Sequence, residues 1–258
     1  MSDLVLYEVK ERVGYITLNR PEKRNALSYE MVSEIKLAFM KAEADADCKI
    51  IVIKGSGEAF CAGADLAYLQ QLQTNTFEEN LADSRHLMEL FQFIYHSHKV
   101  VISQISGPAL AGGCGLATVC DFSFATPQST FGYTEVKIGF VPAIVMVFLV
   151  RKVAEKTARQ LLLTGDVFDA QKALSYGLIN EVVEADALEE TVFKFAQKLC
   201  KQTSAQSLGL VKEMLANVQS MEVNSALDYA AQTNAKARAT EDCKKGIAAF
   251  LNKEKLTW

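Results

Sequence analysis

Twice in this chain an apolar strand runs into a turn of glycine and alanine and then directly into a helix. KIIVIKGS (49–56) leads to AFCAGADLAYL, and VVISQIS (100–106) leads to GPALAGGCGLATVCD. The unit predicts an α/β core. It also leaves backbone N–H groups at each helix start without intrahelical partners, at the positive end of the helix dipole. Small residues let an oxygen atom of a bound molecule approach that backbone. Two turns of one design can each give one N–H to a single oxygen, which is the layout of an oxyanion hole.

The rest of the chain fits around these units. Two short strands open it, at 4–10 and 13–19, joined at Glu11 and Arg12. NRPEKRNALS then breaks the pattern, and Ser28 is placed to cap a helix in which Met31, Ile35, Ala38, Phe39 and Ala42 recur at helical spacing. Leu81, Met88, Phe91, Ile94 and Tyr95 mark another long amphipathic helix. Beyond residue 201 the chain reads almost wholly as helix, with an apolar stripe of Leu208, Val211, Leu215 and Val218. A stripe of that kind has to pack on something. The expected organisation is an α/β core over 1–200 and a helical region over 201–258 that covers the core or a neighbouring subunit.

Composition removes several classes of function. Half of the 258 residues are apolar, which excludes disorder, and a net charge of −4 gives no general attraction for nucleic acid. The most apolar window, 139–150, contains Pro142 and is too short for a bilayer, so no membrane association is expected. The N-terminal MSDLVLYEV lacks a basic segment, and six scattered cysteines without a C-x-x-C pair read as reduced core thiols. A cytoplasmic protein is expected. His86, His96 and His98 fall in one helical region with no metal-ligand spacing. GCGLAT imitates a dinucleotide fingerprint, but its third glycine is Thr118.

The ordered strings NRPEKRNAL, FCAGADL, GPALAGGCGLATVCDF, FGYTEVKIGFVP and LLLTGDVFDAQKALSYGLINEVV resemble the enoyl-CoA hydratase/isomerase (crotonase) superfamily. The likeness runs from about Val5 to Lys253. It implies a crotonase-like spiral of ββα units and a helical C-terminal region that makes a homotrimer or a dimer of trimers. The implied substrate is an acyl-CoA thioester, so coenzyme A arrives with the substrate and no separate cofactor is expected. The family's two oxyanion donors fall on the backbone of Ala64 and Gly112.

Family hydratases place two glutamates around the double bond. The second is present here as Glu135; the first position is Gly115, which cannot transfer a proton. Glu135 is expected to be partly desolvated among Phe131, Tyr133, Val136 and Ile138, which would raise its pKa and make it a better base near neutrality. One carboxylate suffices to carry a proton from C2 to C4, so Δ3 to Δ2 double-bond isomerisation ranks ahead of syn-hydration of a 2-enoyl-CoA, including branched methylglutaconyl-type substrates. A non-catalytic CoA-binding protein is the alternative of another class. On this reading a Gly115→Glu exchange would raise hydration relative to isomerisation, given room for the side chain. A second departure follows Pro142, where many family members are glycine-rich and this chain has Ala-Ile-Val-Met-Val-Phe.

For the nucleotide, the resemblance points to Lys23 and Arg24 in the break after the second strand. Ala62, Asp65 and Leu66 at the first glycine turn belong to the same set. Phe250 and Lys253 near the C-terminus are implied to reach a neighbouring subunit's site.

Overall fold

The computed structural model describes residues 4–258. Along the chain the elements are β1 (Val5–Lys10), β2 (Val13–Leu18), α1 (Tyr29–Ala44), β3 (Ile50–Gly55), α2 (Leu66–Leu72), α3 (Phe77–His96), β4 (Val100–Ile105), β5 (Ala109–Leu110) and α4 (Gly112–Val119). There follow β6 (Phe122–Ala125), β7 (Thr130–Gly132), α5 (Ala143–Lys152), α6 (Glu155–Thr164), β8 (Phe168–Asp169), α7 (Ala170–Ser175), β9 (Glu181–Val182) and α8 (Leu188–Gln202). Three helices end the chain, α9 (Ala205–Val218), α10 (Val223–Ala239) and α11 (Glu241–Leu251).

Six strands form one sheet in the order β1-β2-β3-β4-β6-β9, antiparallel only at β1–β2 and parallel throughout the rest. The hairpin turns at Glu11 and Arg12, whose φ of 48° and 70° are the left-handed values a two-residue hairpin loop needs. Strands β2, β3 and β4 are buried on both faces, which is why they read as unbroken apolar runs. Alternation divides them between two cores. Ile16, Leu18, Ile51, Ile53, Val101 and Ile105 pack with α1, α3 and α4, where Met31, Ile35, Phe39, Phe91 and Ile94 lie. Val13, Tyr15, Ile50, Val52, Val100 and Ile102 face α8 through Leu188, Val192, Ala196 and Cys200. The Ser28 hydroxyl caps α1, accepting from the Met31 N–H. A second sheet, β5-β7-β8, lies beyond the ends of β3 and β4.

Parallel register gives the large sheet two chemically different ends. Leu18, Gly55 and Ile105 finish their strands at one end; Leu18 leads into the break before α1, and Gly55 and Ile105 lead into the two glycine turns. Arg12, Lys49 and Lys99 precede theirs at the other end, and there the C-terminal helices dock. The Lys49 ammonium donates to the Cys200 carbonyl (2.8 Å), and Lys212 donates to the Lys99 carbonyl (2.9 Å) and pairs with Asp121 (2.6 Å). The Arg12 guanidinium holds the Trp258 carbonyl (2.8 Å). The stripe on α9 joins the core only in part: Leu208 packs against the α8 side of the sheet, Val211 and Leu215 are more than half exposed, and Gly209 and Lys212 are the buried residues of that helix. Close approach of α9 to His98 selects Gly209 and the Lys99 and Asp121 oxygens select Lys212, so backbone contact and polar pairing decide the buried face. No described helix is long and apolar enough to cross a membrane.

Candidate active site

The first glycine turn, after β3, is held by the break that precedes α1. Asn25 is fully buried, with φ +54°, and its side-chain amide donates to the Ser56 and Ala59 carbonyls (2.9 and 2.8 Å) while its oxygen accepts from the Arg20 N–H (2.9 Å). The Ala62 N–H donates to the Arg24 carbonyl (3.0 Å). Leu27 then forms a single parallel bridge with Ala64: Leu27 N–H donates to Gly63 O (2.7 Å) and Asp65 N–H to Leu27 O (2.9 Å). In that pairing the bridged residue itself contributes neither group, so the Ala64 N–H points away from Leu27. It meets no acceptor among the described residues.

The second turn is laced to the first. Cys61 bridges Ala109 in parallel, with Leu110 N–H donating to Cys61 O (3.0 Å) and Cys61 N–H to Pro108 O (3.1 Å). The backbones come so close that a Cβ on Gly113 would lie 2.1 Å from the Cys61 carbonyl oxygen, and one on Gly63 would lie 2.9 Å from that of Leu110. Ala111, just before α4, has φ 48° and ψ −123°, a conformation that costs an L-residue on the order of 1–3 kcal/mol. Its N–H is held by the Gly132 carbonyl of β7 (2.7 Å). Gly112 follows as the first residue of α4, and its N–H, like that of Ala64, has no acceptor among the described residues. Leu27 touches both: it is bridged to Ala64, and its Cδ1 lies 3.2 Å from the position of a Cβ on Gly112. The two open amides therefore flank one leucine.

Glu135 enters from β7, which pairs with β5 and then winds into a single turn of 3-10 helix over Thr134–Ile138. Its side chain is buried, and Oε2 is shielded from solvent with no hydrogen-bond partner among the described residues. Desolvation pushes its pKa above the ordinary carboxylate value. Phe131 and Tyr133 are fully buried, as expected, and the Tyr133 hydroxyl pairs with Thr118 Oγ1 on α4 (2.6 Å). Val136 and Ile138 instead face outward, because the 3-10 turn carries them to the surface.

The other expected positions fall in two groups. Lys23, Arg24, Ala62, Asp65 and Leu66 gather around the first turn. Lys23 and Arg24 are exposed, and Leu66 is 79% exposed. Arg20 is drawn out of the basic cluster by Asp65 (2.7 Å), whose carboxylate also caps α2 by accepting from Ala67 and Tyr68 N–H. Phe250 (83% exposed) and Lys253 belong to the α11 end of the chain, anchored at the opposite edge of the sheet by Asp242 on Ser204 (2.6 Å) and Trp258 on Arg12. A cleft of about 230 Å³ at the far end of α4, among Tyr95, Thr118, Phe148, Lys152 and Lys212, contains neither the open amides nor Glu135.

Gly115 lies one turn along α4 from Gly112 and has no room for a side chain: a Cβ there would lie 2.1 Å from Val145 Cγ1 and 3.2 Å from Phe91 Cε1. The single exchange Gly115→Glu therefore does not fit, and the condition attached to the sequence-based expectation, room for the side chain, is not met. Val145 belongs to the bulky segment after Pro142 that the sequence already marks; Asn25 and Ala111 have no such flag, and of these two only Asn25 carries a local signal, as a residue type that tolerates left-handed backbone.

Two strand-to-helix turns hydrogen-bonded to each other, each with an open amide, together with a buried carboxylate on the turn after β7, make this the candidate active site of an α/β fold. The enoyl-CoA hydratase/isomerase family matches residues 8–258, and the chain belongs to it. A Thermus thermophilus protein assigned by name to the enoyl-CoA hydratases is 42% identical over 95% of this chain and 96% of its own length. A crotonyl-CoA hydratase of Syntrophomonas wolfei is 34% identical over 97% and 96%. The crystal structure of an enoyl-CoA hydratase from Shewanella pealeana superimposes with a TM-score of 0.93 at 29% identity, covering 99% of this chain and 96% of that one. The protein has the crotonase fold with its helical C-terminal region.

Proposed function

We propose that this enzyme adds water to a 2-enoyl-CoA thioester, with Ala64 and Gly112 holding the thioester oxygen and Glu135 as the only proton-transferring side chain. The observation that supports the reading is a pair of unpartnered amides, on turns hydrogen-bonded to each other and flanking Leu27, in a chain whose buried Glu135 also has an unpartnered Oε2. Water bonds to C3 as the Glu135 carboxylate takes one of its protons. The C2=C3 electron pair moves into an enolate whose oxygen sits on the two N–H groups. The Glu135 carboxylic acid then delivers its proton to C2, so one water has been added and the carboxylate is regenerated. Fixed donors act where charge develops, and removing one costs about 3–4 kcal/mol of barrier. Burial suits Glu135 to both halves, since a raised pKa makes it a stronger base and still lets it return the proton.

The sequence alone favours isomerisation, and the names of the relatives give that order no support. It stays as the second reading because of one observation: Val145 and Phe91, both apolar, occupy the space where a second carboxylate would stand. For the nucleotide we propose Lys23 and Arg24 as phosphate contacts and the backbone of Ala62, Asp65 and Leu66 around the adenine. Phe250 and Lys253 would serve a neighbouring copy's site in a trimer or a dimer of trimers, the role left to them by their anchorage at the far end of the sheet. The test is a panel of 2-enoyl- and 3-enoyl-CoA thioesters scored separately for hydration and double-bond migration. Faster turnover of 3-enoyl thioesters, without net water addition, would replace hydration by isomerisation.

A further inference from the structure

Resting on the reading of Glu135 as the acid–base group, we infer that Tyr133 is its positioning residue. The Tyr133 phenol, bonded to the Thr118 hydroxyl, ties the turn that carries the carboxylate to α4, the helix that begins at the Gly112 amide.

Glu135 has little to hold it directly. Its Oε2 has no hydrogen-bond partner among the described residues, and the group that offsets its desolvation is its own backbone N–H. The place of the carboxylate is therefore set by the backbone of its 3-10 turn. That turn leaves β7 through two neighbouring residues, and both are fastened to α4. The Gly132 carbonyl accepts from the N–H of Ala111, the residue before the helix (2.7 Å), and the Tyr133 hydroxyl meets Thr118 Oγ1 in the helix's last turn (2.6 Å). The anchor points thus stand at opposite ends of α4. The direction of the second bond is fixed as well. Thr118 Oγ1 spends its one proton on the Cys114 carbonyl (2.8 Å), so it accepts from Tyr133 and the phenol is the donor. Both side chains are buried, so water does not replace the bond when it is lost. Burial lifts the phenol well above its ordinary pKa, which keeps the donor protonated. The carboxylate acts on this same cluster: burial pushes the Cys114 thiol of α4 up to about 12, and the Glu135 charge adds to the rise at Cys114 and at Tyr133. Deleting the phenol oxygen would leave the turn tied to α4 by the Gly132 bond, and a shift of about 1 Å at a reacting group can cost about 10²-fold in rate.

Three variants test this, Tyr133→Phe, Thr118→Val and the two together, beside the parent and Glu135→Gln. Each is measured for thermal unfolding, for amide hydrogen exchange, for kcat and KM in hydration of a 2-enoyl-CoA and migration in a 3-enoyl-CoA, and for the pH dependence of kcat. Tyr133→Phe keeps the ring and its packing, so it is expected to fold, with faster exchange over 134–140. Its kcat should fall about tenfold while KM stays within about twofold, the pattern of a misplaced reacting group and not of lost binding. The double variant should lose no more than Tyr133→Phe does, because the same bond is removed in both. A loosened turn admits water to Glu135, so the acid limb of the kcat profile should move to lower pH, toward the ordinary carboxylate value. A Tyr133→Phe protein with parental kcat and an unmoved acid limb would overturn the positioning role, even with a lowered Tm. Losses that multiply in the double variant would also overturn it, since the two hydroxyls would then act separately. A Glu135→Gln protein as active as the parent would instead bring down the acid–base reading. Exchange over 134–140 judges the tie to α4 independently of activity, and parental exchange there in Tyr133→Phe would refute it.

Discussion

The two glycine turns present the same group by different means. In the first, an N–H is left open by bridge geometry: Leu27 pairs with the residues either side of Ala64, and no unusual backbone angle is needed at Ala64 itself. In the second, the open N–H belongs to a helix start, reached through Ala111 at φ 48°. The first turn depends on a buried polar side chain from a distant segment, Asn25; the second depends on β7 through a backbone bond to Gly132. The same open group is reached by whichever local device each strand end allows, and the two devices should fail differently.

The largest effect tests the premise that both turns serve one oxygen beside one carboxylate. Glu135→Gln is expected to cut turnover at least about a thousandfold while acyl-CoA binding, measured by calorimetry, is retained; near-parental turnover would remove Glu135 from the reaction. Next come Ala64→Pro and Gly112→Pro, each deleting one open N–H. Neither N–H holds the fold together, and Pro is tolerated at the first position of a helix. Both variants should fold and lose about 10²–10³ in kcat. Equal losses would say that the two devices are equivalent; a large loss from only one would say that the other amide is merely unpartnered.

Asn25→Ala separates the turns by stability. It strands the Arg20 N–H and the Ser56 and Ala59 carbonyls, costing about 1–3 kcal/mol, or a fall in Tm of several degrees. Hydrogen exchange should accelerate around 56–65 and not around 106–112. Protonation gives a smaller effect. Desolvation raises the Glu135 pKa in the folded chain, so the folded state binds the proton more tightly than the unfolded one. Stability is then highest below the unfolded carboxylate value and falls as pH rises through the folded pKa. Glu135→Gln should accordingly raise Tm at neutral pH, the gain vanishing near pH ~4; a gain that persists in acid would contradict a desolvated carboxylate. Smallest, Lys23→Ala or Arg24→Ala should raise KM for the thioester a few-fold with kcat unchanged.

Much of this architecture is readable locally. Strands β2, β3 and β4, the Ser28 cap, the turn at Glu11 and Arg12 and the start of α4 are set by short-range patterning, and each lies within a residue or two of where periodicity and turn chemistry put it. The burial of Glu135 was legible in part: Phe131 and Tyr133 follow the strand alternation, while Val136 and Ile138 lie past the strand, where a 3-10 turn rotates side chains differently. Asn25 read as one more polar residue in a break, since nothing within ten residues shows that it bonds to residues 56 and 59. The α9 stripe had the periodicity of a core face, yet periodicity does not say whether a covering surface exists, and Val211 and Leu215 remain open.

By itself the chain's order of residues determined the elements, the two amide-bearing turns and the single glutamate, because hydrophobic period, capping and glycine placement act over a few residues. Only the tertiary structure decided that the two turns lie against each other, that Arg20 is spent on Asp65, and that Gly115 faces Val145. Those facts concern which distant atoms compete for the same few cubic ångströms, and excluded volume between segments has no signature along a sequence.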